Sequence, residues 1–99
     1  MMNPLVIEYT GHARKRLRER GIGESDVLET IEYPDEVLLD TWTNRLIAVS
    51  LDLGVSVVYI QKHSRIVIVT AMRLRELNHV LRSHRKRFRK ISMQKDLWF

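Results

Sequence analysis

The chain has 99 residues, 44% of them hydrophobic, which suits one domain with a single modest core. It contains no cysteine, so a disulfide framework and a thiolate metal cluster are both excluded. No apolar run approaches the roughly 18 residues of a membrane span, and Met1 to Leu5 lack the start of a signal peptide. We therefore expect a cytoplasmic protein without a membrane partner.

The two signs of charge are separated along the chain, whose formal net charge is +5. The net charge is +4 over residues 10–20, −7 over residues 24–52 and +8 over residues 73–95. Such segregation favours a polyanion on one surface and leaves another surface for a different partner, such as a basic protein.

The amino-terminal third predicts a strand followed by two short helices. Residues 5–9 are a strand candidate, and Thr10 can cap the first helix by accepting a bond from a free backbone amide. Gly21 ends that helix. The second helix begins at Gly23 or Ser25 and ends before Pro34, because the residue before proline disfavours helical conformation.

The middle of the chain predicts an antiparallel meander of four strands. Runs rich in Val, Ile, Leu and Tyr are separated by short turns, and they cover residues 36–40, 46–52, 55–60 and 66–72. The last run is apolar on both faces, which indicates a central strand covered on one side by helices.

The carboxy-terminal third predicts a basic helix. Apolar residues and one histidine recur at alternating steps of three and four, at Leu74, Leu77, Leu81, His84, Phe88 and Ile91. Because residues 82–90 hold six Lys/Arg, we place a domain boundary here, with residues 1–81 as the domain and 82–99 as a helical extension that orders on binding. Residues 96–99 are apolar enough to fold back onto the domain or to dock on a second chain, and the second alternative predicts a homodimer through this helix.

The first helix carries a motif that points to a family. Its residues are His12-Ala13, Arg16, Glu19-Arg20-Gly21-Ile22, followed by Asp26-Val27 in the second helix and Val69-Thr70 at the end of a strand. Over roughly residues 6–76 the chain resembles small microbial domains related to BrnT and, more distantly, to RelE and ParE toxins. The resemblance implies an α+β fold in which two amino-terminal helices pack on a curved antiparallel sheet of about four strands. It also implies a toxin–antitoxin system, with an antitoxin protein as a partner.

RelE-like proteins cleave RNA without a metal, so the resemblance makes a metal-independent ribonuclease the first hypothesis. The candidate acid or base is His12, and Arg16, Arg20 and Arg73 are candidates to hold phosphate oxygens. Residues near the final hairpin are second choices, namely Tyr59, Lys62, His63 and Arg65. The expected substrate is RNA, including ribosome-associated mRNA, with no cofactor and no metal.

Each member of this group also has a structural interpretation. The His12 imidazole can bond a neighbouring strand, Arg16 and Glu19 can form a surface ion pair, and Arg20 can satisfy the last carbonyls of the helix. Both interpretations remain open at the level of sequence.

The alternative hypothesis is a nucleic-acid-binding module without chemistry, or a module that binds an antitoxin. Exposed Lys and Arg side chains neutralise phosphates, and the basic run is the strongest such signal in the chain. The predicted nucleic-acid-binding residues are Arg14, Arg18, Arg82, Arg85, Lys86, Arg87, Arg89 and Lys90.

Overall fold

The computed structural model describes residues 6–92, and their fold is α+β. The elements in chain order are β1 (Val6–Tyr9), α1 (Gly11–Arg20), α2 (Glu24–Glu32), β2 (Glu36–Asp40), β3 (Arg45–Ser50), β4 (Val55–Lys62), β5 (Arg65–Arg73), α3 (Leu74–Ser83) and β6 (Phe88–Ser92). The strands form one sheet in the order β1-β5-β4-β3-β2-β6. β1 runs parallel to β5, and every other neighbouring pair is antiparallel.

Local signals set the bounds of α1 and α2. Thr10 Oγ1 accepts a hydrogen bond from the Ala13 backbone amide at 2.9 Å, and Gly21 ends α1 in the left-handed conformation with φ of 63°. α2 ends at Glu32 and is capped by Tyr33, the residue before Pro34. The helix bounds therefore follow the capping residues that the sequence offers.

Helices cover both faces of the sheet. One core lies under α1 and α2 and includes Leu17, Val27 and Ile68. The other lies under α3, where Leu77 is 2% exposed and packs among apolar residues of β2, β3 and β4. Since β5 contributes to both cores, the prediction that helices cover it on one side only is corrected.

The predicted antiparallel sheet of about four strands is wrong. The sheet has six strands and is mixed, because β1 joins one edge in parallel to β5 and β6 joins the other edge beside β2. The Val6 backbone amide donates to the Ser64 carbonyl at 2.8 Å, and the Thr10 amide donates to the Ile68 carbonyl at 3.1 Å. These contacts join segments about sixty residues apart, which periodicity does not detect.

The predicted basic carboxy-terminal helix is also wrong. α3 ends at Ser83, and residues 88–92 form a strand of the sheet rather than a helical extension. In a helix, six cations in nine residues would face one another at three- and four-residue spacing, whereas a strand sends alternate side chains to opposite faces. Phe88 thereby reaches the core under α3, and its backbone pairs with Asp40. The predicted docking of residues 96–99 lies outside the described residues.

Within residues 6–92, no helix is long and apolar enough to cross a membrane.

Candidate nucleic-acid interface

The structure separates the four predicted catalytic residues into two pairs. His12 is exposed near the start of α1, and its Nε2 atom accepts a hydrogen bond from Arg16 Nε at 3.3 Å. Arg16 Nη1 also donates to Glu19 Oε1 at 3.0 Å. The first pair is thus an exposed imidazole in contact with the guanidinium of half-buried Arg16, which also binds the Glu19 carboxylate.

The second pair fastens the end of α1 to the sheet and to α3. Arg20 forms an ion pair with Glu76 at 2.7 Å and donates from Nη1 to the Ala71 carbonyl at 3.1 Å. Arg73 Nη2 donates to the carbonyls of Arg20 and Gly21, each at 3.0 Å. His12 and Arg20 are eight residues apart, about 12 Å along the helix axis, and the side chains of the second pair are engaged in bonds that hold the fold.

Two further predicted cations, one on α1 and one at the final hairpin, form ion pairs with carboxylates. Arg14 pairs with exposed Glu24 at 3.3 Å and lies over the ring of Tyr9, while Arg18 is exposed on the same helix. At the hairpin, Arg65 pairs with Glu8 at 3.5 Å. Tyr59 is buried in the core under α1 and α2, and desolvation raises the pKa of its phenol. Tyr59, one of the second-choice catalytic candidates, is therefore inaccessible to a substrate.

A buried carboxylate organises the opposite edge of the sheet. Asp40, at the end of β2, is 4% exposed and accepts two hydrogen bonds from Arg87, from Nε at 2.8 Å and from Nη2 at 2.7 Å. Thr43 Oγ1 and the Trp42 backbone amide also donate to it, at 2.7 and 3.0 Å. The hydrogen bonds from Arg87 are the main reason that the pKa of Asp40 lies well below its usual range.

This carboxylate joins two turns. The Thr41 backbone amide donates to the Arg87 carbonyl at 2.8 Å, so the turn after β2 lies against the turn before β6. Arg87 lies over Trp42, with its central carbon 4.7 Å from the ring centroid, and over Phe88 at 5.0 Å. The His84 ring is 5.0 Å from that of Trp42, at 57°. Arg87, although predicted to bind nucleic acid, therefore has a structural partner.

Three further cations lie in the turn before β6 or on β6 itself. Arg85, Lys86 and Arg89 are exposed, and none of them forms an ion pair within residues 6–92. Lys90 lies on the next position of β6 and pairs with Glu36 at 3.4 Å. We use the name basic corner for Trp42, His84 in contact with it, and the exposed cations that follow His84 in the chain, namely Arg85, Lys86 and Arg89.

The basic corner is distinct from the other predicted binding residues. It lies at β2 and β6, whereas α1 packs against β5, three strand positions and about 14 Å away. Arg82 lines a separate cavity of about 540 Å³ together with Arg20 and His79. Of the eight predicted residues, five lie in the turn before β6 or on β6, namely Arg85, Lys86, Arg87, Arg89 and Lys90.

Residues 9–73, about two thirds of the chain, match the family described as a domain of unknown function, DUF4258. The chain belongs to the DUF4258 family. No curated protein and no solved structure matches it significantly. Nothing in the family match connects the chain to BrnT, RelE or ParE, so that resemblance stays a prediction. The DUF4258 match includes Asp40 and Trp42 and ends before the cations of the basic corner.

Sequence reasoning overlooked Trp42, although a local signal was present. Asp40 and Asn44 are turn-forming residues between two predicted strands, and a tryptophan in such a turn has no strand face on which to be buried. Its exposure was therefore predictable, but its contact with residues 84–87 depends on the pairing of β2 with β6.

Proposed function

We propose that this DUF4258 protein binds single-stranded RNA at the basic corner. The observation that carries the proposal is an exposed tryptophan in contact with His84 and Arg87, beside three exposed cations of the same turn and strand that have no carboxylate partner in the described chain. Cations so placed can neutralise phosphates, and an exposed aromatic ring suits an unpaired base.

The shape of the basic corner favours a single strand over duplex DNA. Reading of the major groove usually requires a helix or a two-stranded ribbon that fits into the groove. α3 ends at Ser83, before the cations of the basic corner, and those cations lie on a turn and on an edge strand. The surface therefore presents no recognition helix and can contact a flexible strand along its backbone.

RNA affinity tests this proposal directly. We expect the triple substitution Arg85→Gln/Lys86→Gln/Arg89→Gln to weaken binding of a single-stranded RNA, because three phosphate contacts are lost. With about 0.7 released counterions per contact, the slope of log affinity against log salt should become shallower by about 2. Binding is measured by fluorescence anisotropy over a range of salt concentrations, with duplex DNA of equal length as competitor.

A matched pair of single substitutions controls for net charge. Lys15→Gln and Lys86→Gln remove the same charge from exposed positions, one on α1 and one in the basic corner. Only Lys86→Gln should weaken binding and reduce the salt slope, by about 0.7. Equal effects of the two variants, or unchanged affinity in the triple variant, would place RNA elsewhere and overturn the proposal.

A metal-independent ribonuclease is the second candidate, favoured by the exposed contact between His12 and Arg16. An imidazole can take the proton of a ribose 2′-hydroxyl as the 2′-oxygen attacks phosphorus, while a guanidinium stabilises the added charge. The P–O5′ bond then breaks, and the leaving 5′-oxygen takes a proton from water. Arg20 and Arg73 support this candidate less, because each is engaged in bonds that hold the fold.

Cleavage is tested separately from binding. RNA is incubated with the protein in EDTA, with and without ribosomes, and the ribonuclease hypothesis predicts cleavage that His12→Ala and Arg16→Ala each abolish. A toxin of this kind should also arrest growth when expressed, and His12→Ala should relieve the arrest. Intact RNA under all these conditions, together with salt-sensitive binding, would reject the ribonuclease and leave the binding module.

A further inference from the structure

Trp42 is the most unusual residue of the basic corner. It is 66% exposed, although a large aromatic side chain is normally well buried. Its neighbours in the turn, Thr41, Thr43 and Asn44, are polar and exposed. An apolar docking patch for a protein would continue into other hydrophobic side chains. The polar neighbours of Trp42 instead favour a ligand that combines a flat ring with charge.

The ring is held in place before any ligand binds. The Trp42 backbone amide donates to Asp40, the Arg87 guanidinium lies over the ring, and the His84 ring contacts it. Arg87 is itself fixed by two bonds to the same carboxylate. A side chain that is already ordered loses little conformational entropy on binding, which favours affinity.

Part of the ring remains available. Trp42 is 66% exposed, so Arg87 and His84 leave much of the indole open to a ligand. The guanidinium beside it also brings positive charge close to the stacking surface, where the phosphates of a bound strand would lie.

We propose that an unpaired RNA base stacks on the open face of Trp42 while Arg85 and Lys86 contact the neighbouring phosphates. This inference rests on the proposed RNA-binding function and adds the chemical group that the site recognises. Stacking does not require a particular base, because every base has a π face, so the site selects unpaired over paired nucleotides rather than one sequence.

Fluorescence tests the stacking without altering Trp42. The chain has two tryptophans, so Trp98→Phe leaves Trp42 as the sole tryptophan emitter. We expect a short oligouridylate to quench this emission, and an abasic strand of the same length and charge to bind without quenching. The Trp98→Phe variant must retain the RNA affinity of the unchanged protein for this readout to be used.

Affinity then measures the stacking contribution. Trp42→Ala should weaken binding of oligouridylate by about 5- to 150-fold, and Trp42→Phe by much less, since a phenyl ring still stacks. Neither variant should change affinity for the abasic strand, and the salt slope should stay constant. Thermal unfolding of both variants shows whether the fold is retained.

The outcomes separate this inference from the function on which it rests. If oligouridylate and the abasic strand bind equally well and Trp42 emission is unchanged, the protein binds RNA through phosphates alone and the stacking inference is overturned. If neither strand binds even at low salt, both the proposed function and the stacking inference fail.

Discussion

Replacing Asp40 by Asn is expected to lower the free energy of unfolding by about 3 kcal/mol. The substitution removes the charge that Arg87 pairs with, and leaves a guanidinium with 21% side-chain exposure facing a neutral amide. It also replaces one acceptor oxygen with an NH₂ donor, so Arg87 loses one of its two bonds, together with the bond from either Thr43 or the Trp42 amide. Breaking a buried charged pair by changing one member costs far more than losing a surface pair.

Thermal denaturation checks this result. For a domain of this size, 3 kcal/mol corresponds to a lower Tm by about 12–24 °C. Asp52→Asn is the matched control, because Asp52 is exposed and its side chain accepts no hydrogen bond within residues 6–92. We expect that control to stay within about 0.5 kcal/mol of the unchanged protein. A similar Tm for both variants would show that the pair does not stabilise the fold.

The pH dependence of the same two proteins gives an independent check. The pKa of Asp40 lies below its unfolded value, so its stabilisation is fully present above the ordinary carboxylate range. It is lost as the pH falls through that range towards the lower folded value. The difference in stability between the unchanged protein and Asp40→Asn should therefore narrow on acidification below about pH 5. A difference that stays constant with pH would show that Asp40 stabilises the fold through its geometry and not through its charge.

The elements that the sequence predicts well are those set by neighbouring residues. Thr10 and Gly21 delimit α1, Pro34 delimits α2, and the turn residues separate β2 to β5. In each case the signal lies within a few positions of the element that it determines. The bounds of these elements accordingly agree with the sequence to within one or two residues.

β6 could not be predicted in this way, because distant residues determine it. The apolar spacing of Leu74, Leu77 and Leu81 belongs to α3, and Phe88 continues that spacing only by coincidence. The actual partner of β6 is the free edge of β2, about fifty positions earlier in the chain. A sheet edge offers unpaired backbone groups to any extended segment that reaches it, and the sequence does not state which segment will.

In the candidate site, too, the sequence predicts contacts between nearby residues but not contacts between distant ones. Four-residue spacing correctly places His12 and Arg16 on one helix face, and the structure shows them in contact. It does not reveal that Arg20 is bound to Glu76, which is 56 positions away. The basic run was recognisable from composition alone, whereas its contact with Trp42 arises from the pairing of β2 with β6.

Arg20→Ala decides between the catalytic and the structural assignment of this residue, and we expect it to lower the free energy of unfolding by about 2 kcal/mol. The Arg20 side chain is 21% exposed, and its removal leaves Glu76 without the 2.7 Å ion pair and the Ala71 carbonyl without its 3.1 Å donor. Because Glu76 is partly exposed, water can replace part of the lost ion pair. The free energy of unfolding therefore falls by less than in Asp40→Asn.

Arg18→Ala is the matched control for Arg20→Ala, since it makes the same change on the same helix at an exposed position without an ion pair among the described residues. It should alter stability by less than about 0.5 kcal/mol, as should His12→Ala. Urea denaturation gives the free energies of unfolding. The cleavage assay in EDTA is run on the same purified proteins without urea. Because Arg20 acts through the attachment of α1 to α3, any loss of activity should accompany the loss of stability. If Arg20→Ala abolishes cleavage without changing stability, the result would instead support a catalytic role for Arg20.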